Sequence, residues 1–427
     1  MRLFGRLKYI LITGVTLVIG MLREILIASH YGLSPQLDAY AAVFGFYIFF
    51  GNQIANTLEA TFIARNSHIE NKELINNLFS AQLGLFVVTL MFCLVLNYLA
   101  DQIVGLIFKL EPTQLRLSAN IIRLFIPAMI LASFVGLFRA VLNIKGIHSP
   151  GFLYGSIVSI SVIAVMLAFY QDLGIYVLPI GYAVGNFFTL IVFFTILIKK
   201  VIHQGRFWSI HISNPFTIWR FAILVLVAEI IFQFGYLTER SIASGFGEGA
   251  IAAYFYAVSI LMVFSAMVIQ PVSTVIFPII ARKHRQSPQV ARQFVLRVCF
   301  VMVGLGTLVA WVMFYLSPFI VDKLLVRGNF SHEDAIRTAS LLKIMVFVLP
   351  FMSVSRVIKN SLYSKGNYRI PIFANLLRWL SLLAASPFFI KEYGVEGLAM
   401  VYVFSTALIP IVMSIKFFSI TKKEVVS

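Results

Sequence analysis

Charge and cysteine are what this chain has least of. Only 12% of its 427 residues are charged, with 17 Asp and Glu against 34 Lys and Arg. Soluble domains carry about 25% charged and about 45–50% apolar residues, whereas the apolar share here is 60%. So few charges cannot cover a water-facing surface. That excludes the two or three soluble domains the length would otherwise allow. The two cysteines, Cys93 and Cys299, both lie inside apolar runs, so neither a disulfide framework nor a CxxC site is expected. The seven His include no pair four residues apart, and no metal site is expected. Ser-His-Asp, HExxH and paired-carboxylate patterns are missing. The glycines at Gly304 and Gly306, and at Gly245, Gly247 and Gly249, lack a following Lys-Ser/Thr. These absences argue against an enzyme or an ATPase. A net charge of +17 would suggest nucleic acid in a soluble chain. In so apolar a chain it reads better as a topology signal, with no nucleic-acid partner expected.

Long apolar runs are what the chain does have. Crossing roughly 30 Å of hydrocarbon takes about 20 apolar residues in a helix. Such runs lie near 9–30, 37–64, 75–99, 117–142, 149–170, 173–199, 216–240, 249–280, 293–317, 335–362, 370–390 and 393–419. The expected fold class is therefore an all-α polytopic membrane protein of about 12 transmembrane helices. The half-polar stretches near 101–113 and 318–333 read as interfacial segments. The basic start, Met1 to Lys8, is similar to a signal peptide. No small-residue cleavage site follows, so it reads as part of a retained first helix. Lys and Arg crowd alternate connections, including Arg65, Lys72, Lys145, Lys199, Lys200, Arg282, Lys365 and Arg369. By the positive-inside rule both termini are then cytoplasmic.

The chain also repeats itself. Ile27-Ala28-Ser29 returns as Ile242-Ala243-Ser244, and Ala39-Tyr40 as Ala253-Tyr254. Pro127-Ala128-Met129 matches Pro350-Phe351-Met352, and Lys145-Gly146 with Pro150 matches Lys365-Gly366 with Pro371. The matches keep their order, so residues 1–205 (spans 1–6) and 206–427 (spans 7–12) are expected to form two pseudo-symmetric six-helix lobes around a central cavity. An even number of spans per copy makes the repeat parallel, a transporter arrangement.

Ionisable residues inside a span are costly and normally face a cavity or a partner. In span one, Thr13, Thr16, Gly20 and Arg23 share a helix face, with Glu24 beside it. In span two, Asn52, Asn56 and Glu59 share a stripe, with Asp38 about four turns earlier, where it could also cap the helix. In span seven, Glu229, Gln233, Tyr236 and Arg240 form a third stripe, and Gln270 in span eight is the repeat counterpart of Asn56. Arg123, Lys343 and Arg356 lie about two turns from span ends and are expected to snorkel to the interface. One reading is a hydrated cavity in which Arg23 holds an anionic group such as a phosphate. The other is helix–helix glue, with Arg23 paired to Glu24 or Asp38 and the Asn side chains bonding between helices.

Three segments carry a resemblance. Gly20-Met21-Leu22-Arg23-Glu24 with Ala28, Gly32 and Asp38-Ala39-Tyr40 is one; Arg327-Gly328-Asn329-Phe330-Ser331 with Asp334 is the second; Tyr363-Ser364-Lys365-Gly366 with Pro371 is the third. Together they resemble the MviN/MurJ-type flippases of the multidrug/oligosaccharidyl-lipid/polysaccharide exporter superfamily. The resemblance implies two six-helix lobes, alternating access without ATP, and transport of an undecaprenyl-pyrophosphate-linked oligosaccharide. On that basis Arg23 would hold the pyrophosphate, while Asn52, Asn56 and Gln270 would offer neutral hydrogen bonds to sugar. Glu24, Asp38, Glu59 and Glu229 would be available to a coupling ion or to gating. No cofactor is implied beyond coupling to the membrane potential, H+ or Na+. Partners would be the lipid-linked substrate, membrane lipid and polysaccharide assembly enzymes.

The lipid II flippases of that family carry further arginines where this chain has Leu17, Gly51, Asn52 and Ser259, and usually two more C-terminal helices. The departures point away from lipid II and toward a related unit, an exopolysaccharide or O-antigen repeat; a lipid II-like precursor is the variant of the same reading. A cation-coupled multidrug exporter of the same superfamily is the competing expectation, kept open by Glu59 and Glu229.

Overall fold

The computed structural model describes residues 2–202, 211, 214–364, 367 and 369–426; side chains of 2–10, 221, 224, much of 268–288, 363–364 and 420–426 are not described. Among the described residues the fold is helical and no strand occurs, apart from one isolated bridge between Arg327 and Phe330. The helices are α1 (Arg2–Tyr31), α2 (Pro35–Tyr47), α3 (Ile54–Asn66), α4 (Asn71–Ile107), α5 (Pro112–Ile144), α6 (Ser149–Leu173) and α7 (Val177–Leu197). They continue as α8 (Trp219–Ala243), α9 (Ala250–Gln286), α10 (Pro288–Leu325), α11 (His332–Met345), α12 (Leu349–Ser364) and α13 (Arg369–Val426). A π-helical turn, Ile48–Gln53, joins α2 to α3, and a 3-10 turn, Val346–Val348, joins α11 to α12.

Eight helical stretches are long and apolar enough to cross a membrane. Two of them, Ser149–Ile202 and Arg369–Ser419, hold 54 and 51 residues, which at 1.5 Å per residue is far more than one bilayer. Each is divided by a glycine and makes two crossings. The α2–α3 pair, interrupted by the π-helical turn Ile48–Gln53, and α8 add the remaining two. The protein is thus a polytopic membrane protein, consistent with twelve crossings. The stretches expected to be interfacial begin as helix: α4 runs to Ile107 and α10 to Leu325. In α4 the polar residue that breaks the apolar run, Asp101, stays on the helix because it pairs with Arg123 of α5.

The dividing glycines are Gly174 (φ 53°, ψ −134°) and Gly394 (φ 58°, ψ −133°). Their separation matches the sequence repeat, and their backbone angles coincide within a few degrees. This region is closed to side chains. No atom lies within 4 Å of where a Cβ would stand at either position, so a substitution probes the backbone alone. Gly174→Ala and Gly394→Ala are each expected to lower stability by about 1–3 kcal/mol, read as a fall in Tm of the detergent-solubilised protein. Unchanged melting of both would contradict the conformational requirement.

The chain divides into two units, one comprising Met1–Leu26 with Pro35–Leu226, the other Ile27–Ser34 with Val227–Ser427. In the first unit α5 is central and packs on α2, α3, α4 and α7. Its Gly136 lets α3 come close: a Cβ there would stand 2.7 Å from Ala55 Cβ. Tyr40, Phe44, Tyr47, Phe125 and Tyr182 form a ring cluster, with centroids 4.7 Å apart for Tyr47–Tyr182 and 5.1 Å for Tyr47–Phe125. Such ring pairs add stability beyond the area they bury.

In the second unit α12 packs on α10 and α13. Two of the segments singled out in the sequence meet here. The Arg327–Phe330 turn docks on the end of α1, where Asn329 N donates to Ser29 O (2.8 Å) and Asn329 Nδ2 to His30 O (2.6 Å). These bonds satisfy carbonyls that a helix C-terminus leaves without partners. Gly32 (φ 55°) and Gly328 (φ 58°) both turn in the left-handed region. A Cβ on Gly32 would collide with the Asn329 carbonyl, and one on Gly328 with the Ser29 carbonyl. Ser331 and Asp334 then cap α11 reciprocally, Asp334 N to Ser331 Oγ at 3.1 Å and Ser331 N to Asp334 Oδ2 at 3.0 Å. Lys365 and Gly366 of the third segment lie outside the described residues.

Candidate substrate site

The polar stripe of α1 faces α6. On its other side Leu11, Val15, Val18 and Leu22 are exposed, as a lipid-facing surface should be. Thr16 Oγ1 donates to Phe152 O (3.0 Å) and lies 2.7 Å from Ser156 Oγ. One turn on, Gly20 keeps the surface low opposite Ser159, whose Oγ is 4.0 Å from where a Cβ would stand. Arg23 Nη1 then donates to Ser159 Oγ at 3.3 Å. Thr16 and Arg23, two turns apart on α1, thus meet Ser156 and Ser159, one turn apart on α6.

Arg23 is held but not saturated. Its Nη2 pairs with Glu24 Oε1 at 2.5 Å, and the two side chains are 17% and 15% exposed. Its Cζ sits 5.4 Å from the Tyr182 ring centroid, a cation–π contact. Arg23 Nε and Glu24 Oε2 are both buried with no hydrogen-bond partner among the described residues. Buried polar atoms are normally satisfied, so this ion pair keeps one donor and one acceptor open for water or for a ligand's oxygen.

Asn52, Asn56 and Glu59 come together around Arg139, a residue the sequence stripes did not include. Arg139, on α5, pairs with Glu59 (Nε to Oε2, 2.6 Å) and donates through Nη2 to Asn56 Oδ1. Asn143 Nδ2 donates to Glu59 Oε1 at 2.8 Å. The Tyr154 ring lies 6.0 Å from Arg139 Cζ, and its hydroxyl donates to Asn186 Oδ1 (2.8 Å) and lies 3.3 Å from Asn52 Oδ1. Asn186, fully buried in α7, donates in turn to Tyr47 OH at 3.0 Å. A single network thus ties α2, α3, α5, α6 and α7. Asn56 and Glu59 are committed to Arg139 within it, the helix–helix bonding that polar residues make in membranes. Asp38 is fully buried in the first turn of α2, where the helix dipole stabilises a carboxylate. Glu229, in the second unit, lies 3.7 Å from Lys359 Nζ. The side chain of Gln270 lies outside the described residues.

The second unit contains a related polar core that the sequence reading did not single out. Arg378 on α13 pairs with Glu239 on α8, and both are buried, at 2% and 0% side-chain exposure. Tyr254 OH donates to Glu239 Oε2 (2.8 Å), and Arg378 Nε donates to Thr406 Oγ1 (3.2 Å). The Phe232, Tyr236 and Tyr402 rings surround Arg378 Cζ at 5.4, 5.4 and 5.9 Å. Glu239 is the repeat mate of Glu24, Tyr254 of Tyr40 and Tyr402 of Tyr182. Both units therefore pair a glutamate with an arginine laid over a tyrosine. The first takes its arginine from α1, the second from α13. Applying the repeat offset to Glu24 would have found Glu239, whereas no sequence match points to Arg378.

A model of the family described as lipid II flippase MurJ matches residues 27–427. The chain belongs to this family. Among its relatives, the probable lipid II flippase MurJ of Aquifex aeolicus (strain VF5) is 22% identical, over 91% of this chain and 78% of that protein. That of Borreliella burgdorferi (strain ATCC 35210 / DSM 4680 / CIP 102532 / B31) is 24% identical, over 96% and 81%. In fold the chain is similar to a lipid II flippase MurJ in an inward closed conformation, with TM-score 0.82 and 18% identity over 98% of this chain and 91% of that one. It is also similar to an inward-facing multidrug resistance MATE family transporter of the MOP superfamily, with TM-score 0.77 and 12% identity over 95% and 94%. Where the lipid II flippases of the family were expected to carry an arginine, Gly51 is buried. A Cβ there would stand 3.1 Å from the Tyr47 ring and 3.3 Å from Ala132 Cβ, so a longer side chain does not fit as the unit is packed.

Proposed function

We propose that this chain flips an undecaprenyl-pyrophosphate-linked saccharide across the bacterial cytoplasmic membrane by alternating access, with both termini on the cytoplasmic side. The observation that carries the reading is Arg23, in a chain of the lipid II flippase family. It is a guanidinium inside a crossing helix, oriented by Glu24, Ser159 and Tyr182, with Nε still open. Arginine's planar fork suits phosphate oxygens. Glu24 keeps the empty site near neutrality, which lowers the cost of holding a cation in the membrane between cycles. Asn52, within the Tyr154–Asn186 network, is the neutral group best placed to meet sugar in the first unit, and Gln270, the repeat counterpart of Asn56, is proposed to do so in the second. Coupling to the membrane potential, H+ or Na+ would act through Glu24, Asp38, Glu59 or Glu229, and polysaccharide assembly enzymes are the proposed neighbours.

The glycan is read from the departures at Leu17, Gly51 and Ser259, which leave fewer cations than a lipid II flippase was expected to carry. An exopolysaccharide or O-antigen unit fits that lining. The test is expression in cells depleted of their own lipid II flippase. The expected result is no rescue, with lipid-linked oligosaccharide still moved in the same membranes. Rescue would assign lipid II as the glycan. Failure to move either substrate, together with extrusion of a cationic drug, would replace the flippase reading by multidrug export.

A further inference from the structure

The second unit holds a cavity of about 510 Å³ that plays no part in the Arg23 site. Its wall is built by α8, α12 and α13, and its polar lining is cationic: Ser355, Arg356, Lys359, Asn360, Asn375 and Arg378. Two of the three cations are matched by carboxylates, Arg378 by Glu239 and Lys359 by Glu229 at 3.7 Å. Arg356 is not. Its Nη1 is buried without a hydrogen-bond partner among the described residues. It was expected to snorkel to the interface, yet it lines the cavity one turn from Lys359 on the same helix.

A guanidinium with an open donor is expensive at membrane depth and marks a functional position unless something neutralises it. We propose that the cavity is a second anion site, which takes the phosphate of a phosphate ester between Arg356 and Lys359. The Ser355 hydroxyl and Asn360 amide would supply neutral hydrogen bonds. The geometry favours phosphate chemistry because a planar fork and an ammonium one turn apart can share the oxygens of one tetrahedral group. Met352, Ile409 and Met413 also line the wall and would accept the apolar part of an ester. The site does not rest on the role given to Arg23.

The test uses the full chain in a maltoside detergent, which carries no phosphate. Inorganic phosphate and phosphatidylglycerol are titrated separately, and binding is read by native mass spectrometry and by the shift in Tm. At least one probe is expected to bind saturably and raise Tm, and to lose about tenfold or more in affinity in Arg356→Gln and in Lys359→Gln. Binding of inorganic phosphate would identify a free ion as sufficient; binding of phosphatidylglycerol alone would identify a lipid headgroup. Without ligand, Arg356→Gln is expected to melt at or above the wild-type Tm, because it removes a cation whose buried Nη1 has no hydrogen-bond partner among the described residues. That separates lost binding from misfolding. The proposal is overturned if neither probe binds saturably, or if both variants bind like wild type. It is equally overturned if binding is lost in Arg23→Ala but kept in Arg356→Gln.

Discussion

Replacing Arg378 by alanine is expected to lower stability by about 3–5 kcal/mol, the largest effect of any single substitution considered for this chain. Its partner Glu239 is fully buried, so the variant would leave a carboxylate with no neutralising cation. The Tyr254 hydroxyl at 2.8 Å would remain, but one neutral donor does not offset a buried charge. Glu239→Ala should cost a similar amount, because it strands a guanidinium among the Phe232, Tyr236 and Tyr402 rings. Removing both charges with Glu239→Leu and Arg378→Met should cost much less than the two single changes together, since the penalty of each lies in the partner left behind. Thermal unfolding in detergent micelles, followed by tryptophan fluorescence, gives all three values. Single variants that shift stability by less than about 0.5 kcal/mol, as surface changes do, would show that the pair does not hold α8 to α13.

The second large effect concerns transport. Arg23→Ala is expected to reduce flipping by about 10–100-fold, the loss of one or two charge-assisted hydrogen bonds of about 1.5–3 kcal/mol. The alanine variant also strands Glu24, so it needs a companion that keeps the charge. Arg23→Lys retains the ion pair but not the planar fork, and it should fold like wild type with an intermediate rate. If lysine restored the full rate, a point charge would suffice and the multi-contact grip on a pyrophosphate would be wrong.

The fold was largely legible in the sequence because lipid as solvent makes the apolar run a direct record of each crossing. The α2–α3 crossing and α8 were found from the same pattern despite their polar residues. For 101–113 and 318–333, composition alone did not show that each stretch begins as helix, nor that Asp101 meets Arg123 across two helices. The repeat was legible as scattered matches, and the shared backbone angles of Gly174 and Gly394 give it a physical basis.

The site was legible only as stripes. Periodicity on α1 identified Arg23 and Thr16, but not Ser156, Ser159 and Tyr182 on the helices they meet. Asn56 and Glu59 were correctly placed on one face, and the partner they share, Arg139, was hidden because a basic residue near a span end looks like a topology signal. Glu239 was missed because it stands one residue before Arg240, off the Glu229 stripe. Arg378 was missed because its span read as plain apolar sequence. Pairing across helices decides these roles, and one-dimensional spacing does not contain it.

The most direct test is flipping by the purified chain in proteoliposomes, with a fluorescent undecaprenyl-pyrophosphate oligosaccharide placed in one leaflet and its arrival in the other read by an impermeant quencher. Wild type is expected to move the lipid faster than protein-free vesicles, Arg23→Lys at an intermediate rate and Arg23→Ala near background. Equal rates for wild type and Arg23→Ala, or no transfer by wild type above protein-free vesicles, would contradict a flippase that grips its substrate's pyrophosphate through Arg23.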